Sequence, residues 1–344
     1  MKTIYRIIRV IIPVMLIAFI LICKYNPVWG EFYATTIYPP LSHCLSAISS
    51  LFSFPLNEVL IILFVITLFI IPILFRKKGW KGIIIREGEF LVWIYIWFYI
   101  GWGINYFRED IYTRLEKSPA PYNESQFREF LRDFTEEINL SYCSDIQIDR
   151  DNLGNSVNNY YRKIAPELFL TSPNSYQRAK NFIFSRFYSA IGVGGSMGPF
   201  CAEAQLNSDL LDIEYPFSYA HEFAHLTSVS NEAEANYYAY RFCVEANSKS
   251  LNYCGYFGIL PYVANNVYTL LGEEEYQRWR EAIDDEIWSD YSESIEYWQE
   301  RYSPIIGKVQ RWIYNQFLKS NKISSGRKNY SEVIGLILSL EYNK

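Results

Sequence analysis

Two of the chain's three histidines, His221 and His225, stand four residues apart, and Glu222 lies between them. On a helix, residues i and i+4 sit one above the other on the same face, so both imidazoles can bind one ion. Glu222, one position after the first ligand, can reach a water held by that ion without binding the ion itself, which is where a general base belongs. A core helix whose histidines bond to neighbouring side chains would give the same H-E-x-x-H. Metal is favoured by a second acidic stretch, Asn231-Glu232-Ala233-Glu234-Ala235-Asn236, which follows where a third ligand is needed.

The third ligand can be read from helical faces. Positions 232, 235, 236, 239, 242, 243 and 246 share one side and read Glu, Ala, Asn, Ala, Phe, Cys, Ala, a small apolar stripe suited to close packing on another helix. Glu234 falls on the opposite side with Tyr237, Tyr238, Arg241 and Glu245. Asn231 is a suitable N-cap, and Glu234 three residues later completes a capping box that explains this acid without a metal. Glu232 is therefore the expected ligand. Asn236, one turn on, is expected either to hold a ligand's orientation or to fill the helix crossing as a small polar residue.

The pattern H-E-x-x-H with a later Glu232-x-x-x-Asn236 resembles the gluzincin class of zinc metallopeptidases. The resemblance implies that His221, His225 and Glu232 bind Zn²⁺ and that Glu222 is the base. The chain also resembles an uncharacterised family of bacterial multi-pass membrane proteins known only as a domain of unknown function. That likeness is carried by Asn26-Pro27, Tyr38-Pro39, the run Trp102 to Arg108, Pro199-Phe200, Glu203, Pro216-Phe217, the H-E-x-x-H and the Glu232 to Asn236 segment. Related sequences often carry glycine three residues after the second histidine, where this chain has Ser228. A positive φ there would suit serine less well than glycine.

These residues need elements to position them. Hydropathy predicts an N-terminal membrane anchor, residues 1–107, with three transmembrane helices at about 8–29, 57–75 and 90–107. The first could be a signal peptide, but no small-residue cleavage site follows it. Lys2, Arg6 and Arg9 precede the first span, and Arg76, Lys77, Lys78, Lys81 and Arg86 separate the other two. By the positive-inside rule the N-terminus is cytoplasmic and everything after Phe107 is outside. His43, in the loop between the first two spans, is expected to be merely solvated.

Residues 108–344 are enough to bury a separate core. Helices are expected over Tyr122 to Leu140 and Ser175 to Tyr188, a loop over Gly192 to Pro199, and a strand over Phe200 to Leu206. That strand would be the sheet edge on which an extended peptide pairs, and Glu203 on it could bind a substrate amine or be an ordinary strand residue. Tyr253, Tyr256, Tyr262 and Tyr268 fall on a probable helix, and a tyrosine hydroxyl could stabilise an oxyanion. With thirty tyrosines in the chain, none is singled out. Glu273 to Tyr302 reads as surface helix, and Tyr330 to Leu340 as a final apolar helix packing on the core.

The net charge of −5 and the lack of a basic cluster interleaved with aromatics exclude nucleic acid as a partner. Six cysteines form no C-x-x-C pair, so cysteine-bound zinc is unsupported. Cys243 and Cys254 could be either a disulfide or buried thiols. The sequence thus predicts a mostly α protein, a three-helix anchor followed by an α+β, predominantly helical zincin-like domain. Its expected cofactor is Zn²⁺, and its expected partners are a peptide or protein substrate and the lipid bilayer; oligomeric state is unspecified. Its expected activity is hydrolysis of peptide bonds outside the membrane. The alternative is a membrane sensor or scaffold with a structural zinc, for which Glu222 would have no use.

Overall fold

The computed structural model describes residues 7–119, 121, 123–323 and 332–343. Lys2, Arg6, Tyr122 and Tyr330, used in the expectations above, lie outside the described residues. The structure is mostly helical with one small sheet.

The N-terminal helix α1 (Ile12–Tyr25) ends at Asn26, which is extended (φ −132°, ψ 103°). Pro27 forces this: it clashes with a helical conformation at the preceding residue, and the Asn26 side chain instead caps the next helix, α2 (Pro27–Phe32), by accepting from Val28 N at 3.1 Å. A π-helical turn, Tyr33–Ile37, leads into α3 (Tyr38–Ser50). The segments Arg9–Tyr25 and Pro27–Ser50 meet at 114°, so the first expected span is broken at Asn26, three residues before its expected end at Trp29.

Next come α4 (Leu56–Phe75) and α5 (Gly79–Gly101), joined by a 3-10 turn at Arg76–Lys78. Among the described residues this stretch, Leu56–Gly101, is the one helical segment long and apolar enough to cross a membrane; the bent N-terminal pair qualifies as a second only if its halves are counted together. Three separate spans are therefore not what the structure shows. The stretch doubles back at Gly79 (φ +67°), because Phe64 packs on Phe90 at 6.1 Å and on Trp97 at 5.8 Å. A straight helix would separate Phe64 and Phe90 by about 39 Å. The third span was also expected to run to Phe107. Instead α5 stops at Gly101, and Gly103–Phe107 is a fully buried 3-10 turn, tied by Asn105 O to Ser230 Oγ at 2.8 Å.

The rest of the chain is α6 (Ile111–Arg114), α7 (Glu124–Ser141), α8 (Arg150–Ile164), α9 (Ser185–Ala190), α10 (Tyr215–Leu226), α11 (Glu232–Val244), α12 (Lys249–Leu271), α13 (Glu273–Glu281), α14 (Asp285–Arg301), α15 (Pro304–Ser320) and α16 (Val333–Ile337). A single hydrophobic cluster joins Ile20, Tyr33, Tyr38 and Ile104 to Phe223, Tyr238 and Ile259, so the N-terminal helices and the later domain share one core.

The sheet departs from expectation. Its strands are β1 (Lys180–Asn181), β2 (Gly195–Gly198) and β3 (Glu203–Leu206), in the order β1-β3-β2, with β1 parallel and β2 antiparallel to β3. Of the helix expected over Ser175 to Tyr188 only Ser185–Tyr188 is helical, within α9; the segment before it is turn and β1, whose Lys180 is pulled inward by a 2.7 Å ion pair with Glu203. The strand expected from Phe200 starts only at Glu203 and is central and wholly buried. The glycine-rich segment expected as loop supplies the edge strand instead, with Gly195 opposite Leu206 and Gly198 opposite Glu203.

Candidate metal centre

α10 begins with Pro216 in its first turn, where a missing N–H costs nothing, and buries every side chain except Ser218. Its carbonyls are tied down by donors from distant elements. Tyr161 donates to Ala220 O at 2.8 Å, Trp102 Nε1 to His225 O at 2.9 Å, and Tyr38 to Leu226 O at 3.1 Å. The last two satisfy carbonyls that the end of a helix would leave orphaned. The chain then turns at Ser228, which does have a positive φ (+78°), the conformation that usually selects glycine. Arg108 offsets the strain: its Nη1 donates to Ser228 Oγ at 2.9 Å, while its other nitrogens hold Glu31 at 2.6 and 3.0 Å.

This turn returns α11 against α10, with Asn231 capping it by accepting from Glu234 N at 3.0 Å. His221, His225 and Glu232 converge as a buried group able to hold a metal ion. Their facing atoms form a nearly equilateral triangle: His221 Nε2 to His225 Nε2 is 3.2 Å, His221 Nε2 to Glu232 Oε2 is 3.2 Å, and His225 Nε2 to Glu232 Oε2 is 3.3 Å. A tetrahedral ion with Zn–N and Zn–O bonds of about 2.0–2.1 Å has ligand–ligand edges of about 3.3–3.4 Å, so the donor set fits one face of such a tetrahedron. His225 Nδ1 lies 2.7 Å from Val229 O, so a proton there leaves Nε2 with its lone pair on the site.

Without the ion the three groups hold each other electrostatically. Burial opposes charge on His225, but the Glu232 carboxylate beside it and Glu222 carry its pKa up to about 9. Burial likewise tends to raise Glu232, yet the two imidazoles hold it well below the usual carboxylate range.

Glu222 lies next to this triangle, and burial raises its pKa more than the nearby imidazoles lower it. Its Oε2 is buried with no hydrogen-bond partner among the described residues. Its side chain presses on β2: a Cβ on Gly195 would stand 2.5 Å from Glu222 Cγ and 2.6 Å from Oε1. The edge strand thus runs immediately beside the base position, which only a glycine there permits.

Glu234 is directed elsewhere. Its carboxylate pairs with the buried Arg114 and accepts from Tyr238 at 3.0 Å. Asn236 is buried one turn after Glu232. Glu203 has no free face for a substrate: it accepts from Lys180, from Ser49 Oγ, and from the backbone of Leu56 (3.0 Å) and Asn57 (2.9 Å). It serves as the anion at the N-terminus of α4 and ties that helix to the sheet. His43 lies 3.0 Å from Ser172 O. Cys243 and Cys254 are free buried thiols.

Two tyrosines that sequence reasoning did not select stand at the site. Tyr314 on α15 donates to Glu232 Oε1 at 2.7 Å. Tyr106 is buried near enough to Glu232 and Glu222 that their charges add to burial in raising its pKa. Of the tyrosines considered, Tyr253 donates to Asp290, Tyr256 packs on Phe134, and Tyr268 is exposed. Nothing local marked Tyr314: it lies 82 residues beyond Glu232 and sits in no motif.

Residues 33–338 match a family model described as "Protein of unknown function (DUF3810)". The chain belongs to this family. The match takes in His221, Glu222, His225, Glu232, Tyr106 and Tyr314, so the whole candidate centre lies within the DUF3810 region. No curated protein and no solved structure matches the chain.

Proposed function

We propose that this DUF3810 protein is a membrane-anchored, zinc-dependent peptidase. The observation that carries the proposal is the 3.2, 3.2 and 3.3 Å triangle of His221, His225 and Glu232, with the partnerless Glu222 carboxylate oxygen beside it. Two imidazoles and a carboxylate are a hydrolytic zinc set that leaves a coordination position open, whereas a structural zinc would fill it with a fourth protein ligand. Zinc held by these three residues would acidify a water at the open position and polarise a peptide carbonyl.

The chain's own groups supply the rest. Glu222, whose carboxylate burial makes more basic, takes the proton from the attacking water and returns it to the leaving amine. Tyr314 holds Glu232 from the far side and fixes the carboxylate's direction. β2, an edge strand running past Glu222, offers backbone pairing to an extended peptide with little demand on its side chains. The exposed apolar faces of α1, α4 and α5 support a bilayer anchor, with His221, His225 and Glu232 carried by other helices outside it.

The test is cleavage of a mixed peptide library by the full-length, zinc-loaded protein in detergent, read by mass spectrometry. Wild type is expected to generate new peptide ends that Glu222→Gln does not, while the two proteins hold equal zinc. Equal cleavage by both, or none by a zinc-replete wild type across the library, would overturn the proposal.

A further inference from the structure

α15 has two faces of different use. At about 100° per residue, Ile305, Ile306, Val309, Trp312 and Ile313 cover an arc of about 120°, and Tyr314, Leu318 and Gly307 lie opposite. The inward face meets the protein: Tyr314 reaches Glu232, Leu318 is buried, and Phe317 packs on Phe98 at 5.8 Å and Tyr106 at 5.6 Å. The outward face touches nothing among the described residues that would bury it. Ile305 is 80 % exposed, Trp312 66 %, Val309 56 %, Ile313 54 % and Ile306 47 %.

The ends of α15 fix the level at which this stripe lies. Its C-terminal end is held where the apolar N-terminal helices stop: Lys24, at the end of α1, donates to Ser320 O at 3.1 Å, and Tyr99, at the end of α5, donates to Asn321 Oδ1 at 2.8 Å. Its N-terminal end is held at the same level. Ser303 N donates to Ala190 O at 2.8 Å at the close of α9, and Ile183, just before α9, donates its N–H to Glu58 at the start of α4. Ile183, Phe184 and Phe187 around α9 are also about half exposed. Both ends of α15 are thus tied, directly or through α9, to the ends of the three helices that carry the anchor's apolar surface. α15 contains no acid and three basic residues, Lys308, Arg311 and Lys319, of which Lys308 and Lys319 flank one edge of the stripe.

From this we infer that α15 is an interfacial helix: its Ile305–Ile313 stripe lies in the headgroup and upper acyl region of the bilayer, Lys308 and Lys319 reach lipid phosphates, and its inner face roofs the metal centre through Tyr314. An apolar stripe bordered by lysines, with an exposed tryptophan, is the composition such helices use. The inference rests on the membrane anchoring proposed above but not on the peptidase chemistry. It places the metal centre against the membrane surface, where a substrate would meet it near the point at which that substrate itself leaves the bilayer.

The experiment uses the full chain in nanodiscs of phosphatidylcholine and phosphatidylglycerol brominated at acyl carbons 6 and 7, comparing wild type with Trp312→Phe. The difference between their emission spectra is the Trp312 signal. Shallow burial predicts that bromolipid cuts that signal about twofold or more and that aqueous iodide leaves it almost unchanged. If iodide quenches Trp312 and bromolipid does not, while the other tryptophans are quenched by bromolipid, the chain is in the bilayer and the inference about α15 is wrong. If bromolipid quenches none of the tryptophans, the anchoring itself fails, and the inference with it.

Discussion

Gly195→Ala is a small change with an outcome that the geometry dictates. An added Cβ would lie 2.5 Å from Glu222 Cγ, 2.8 Å from Cδ and 2.6 Å from Oε1, where ordinary contact begins at 3.4 Å. The atoms in the way belong to a side chain, so the Glu222 carboxylate moves by about 1 Å and the strand stays. The three ligand atoms are untouched, and zinc binding is expected to remain at the wild-type stoichiometry. A general base displaced by 1 Å costs on the order of 100-fold in rate, about 2.7 kcal/mol of barrier. The assay is cleavage of the best library peptide by zinc-loaded wild type and variant, with zinc content and thermal midpoint measured on the same samples. Undiminished cleavage would refute the placement of Glu222 against β2, and a variant that fails to hold zinc would refute the separation of base from ligands.

Two further perturbations probe the surroundings of the site. Tyr314→Phe removes the hydroxyl that donates to Glu232 Oε1; a partner of this kind is worth about 10- to 100-fold in metal affinity, so zinc competition titration should show a loss in that range. Glu214, just before α10, accepts from Ser294 and Trp298, and its pKa is raised, chiefly by burial. Because its folded-state pKa lies above the unfolded value, the ionised form costs stability above the folded pKa, and that cost fades as pH falls through it. Thermal unfolding at pH 7.5, 6 and 5 should therefore show wild type gaining on Glu214→Gln as the pH drops; an unchanged offset between them, or wild type losing ground as the pH drops, would contradict this.

The chemistry in this chain is written locally, which is why so much of it could be read from sequence. His221, Glu222 and His225 are fixed by helical periodicity, and Glu232 is separated from Glu234 by which side of one helix each occupies. The structure shows the physical basis of that separation: the side of α11 away from α10 holds Arg114 as a partner for Glu234. The Ser228 turn was legible only from the glycine that related sequences carry there, the residue a positive φ favours, and not from serine itself. What escaped depends on contacts between distant segments. Strands of two and four residues carry no alternation to detect, so β1 was hidden inside a helical pattern and β2 inside a run of glycines. Glu203 looked available only because its partners Lys180, Ser49 and Leu56 come from three other parts of the chain. Hydropathy reports apolar length but not bends, so it missed the break at Asn26 and ran the last span on into a buried turn.

The central claim is that His221, His225 and Glu232 hold one zinc ion. It is tested most directly by elemental analysis of the full-length protein purified in detergent, alongside His221→Ala, Glu232→Ala and Glu234→Ala. The account predicts about one zinc per chain in wild type and in Glu234→Ala, and almost none in His221→Ala and Glu232→Ala. A folded wild type without zinc after incubation with the metal, or zinc retained when Glu232 is removed, would contradict it.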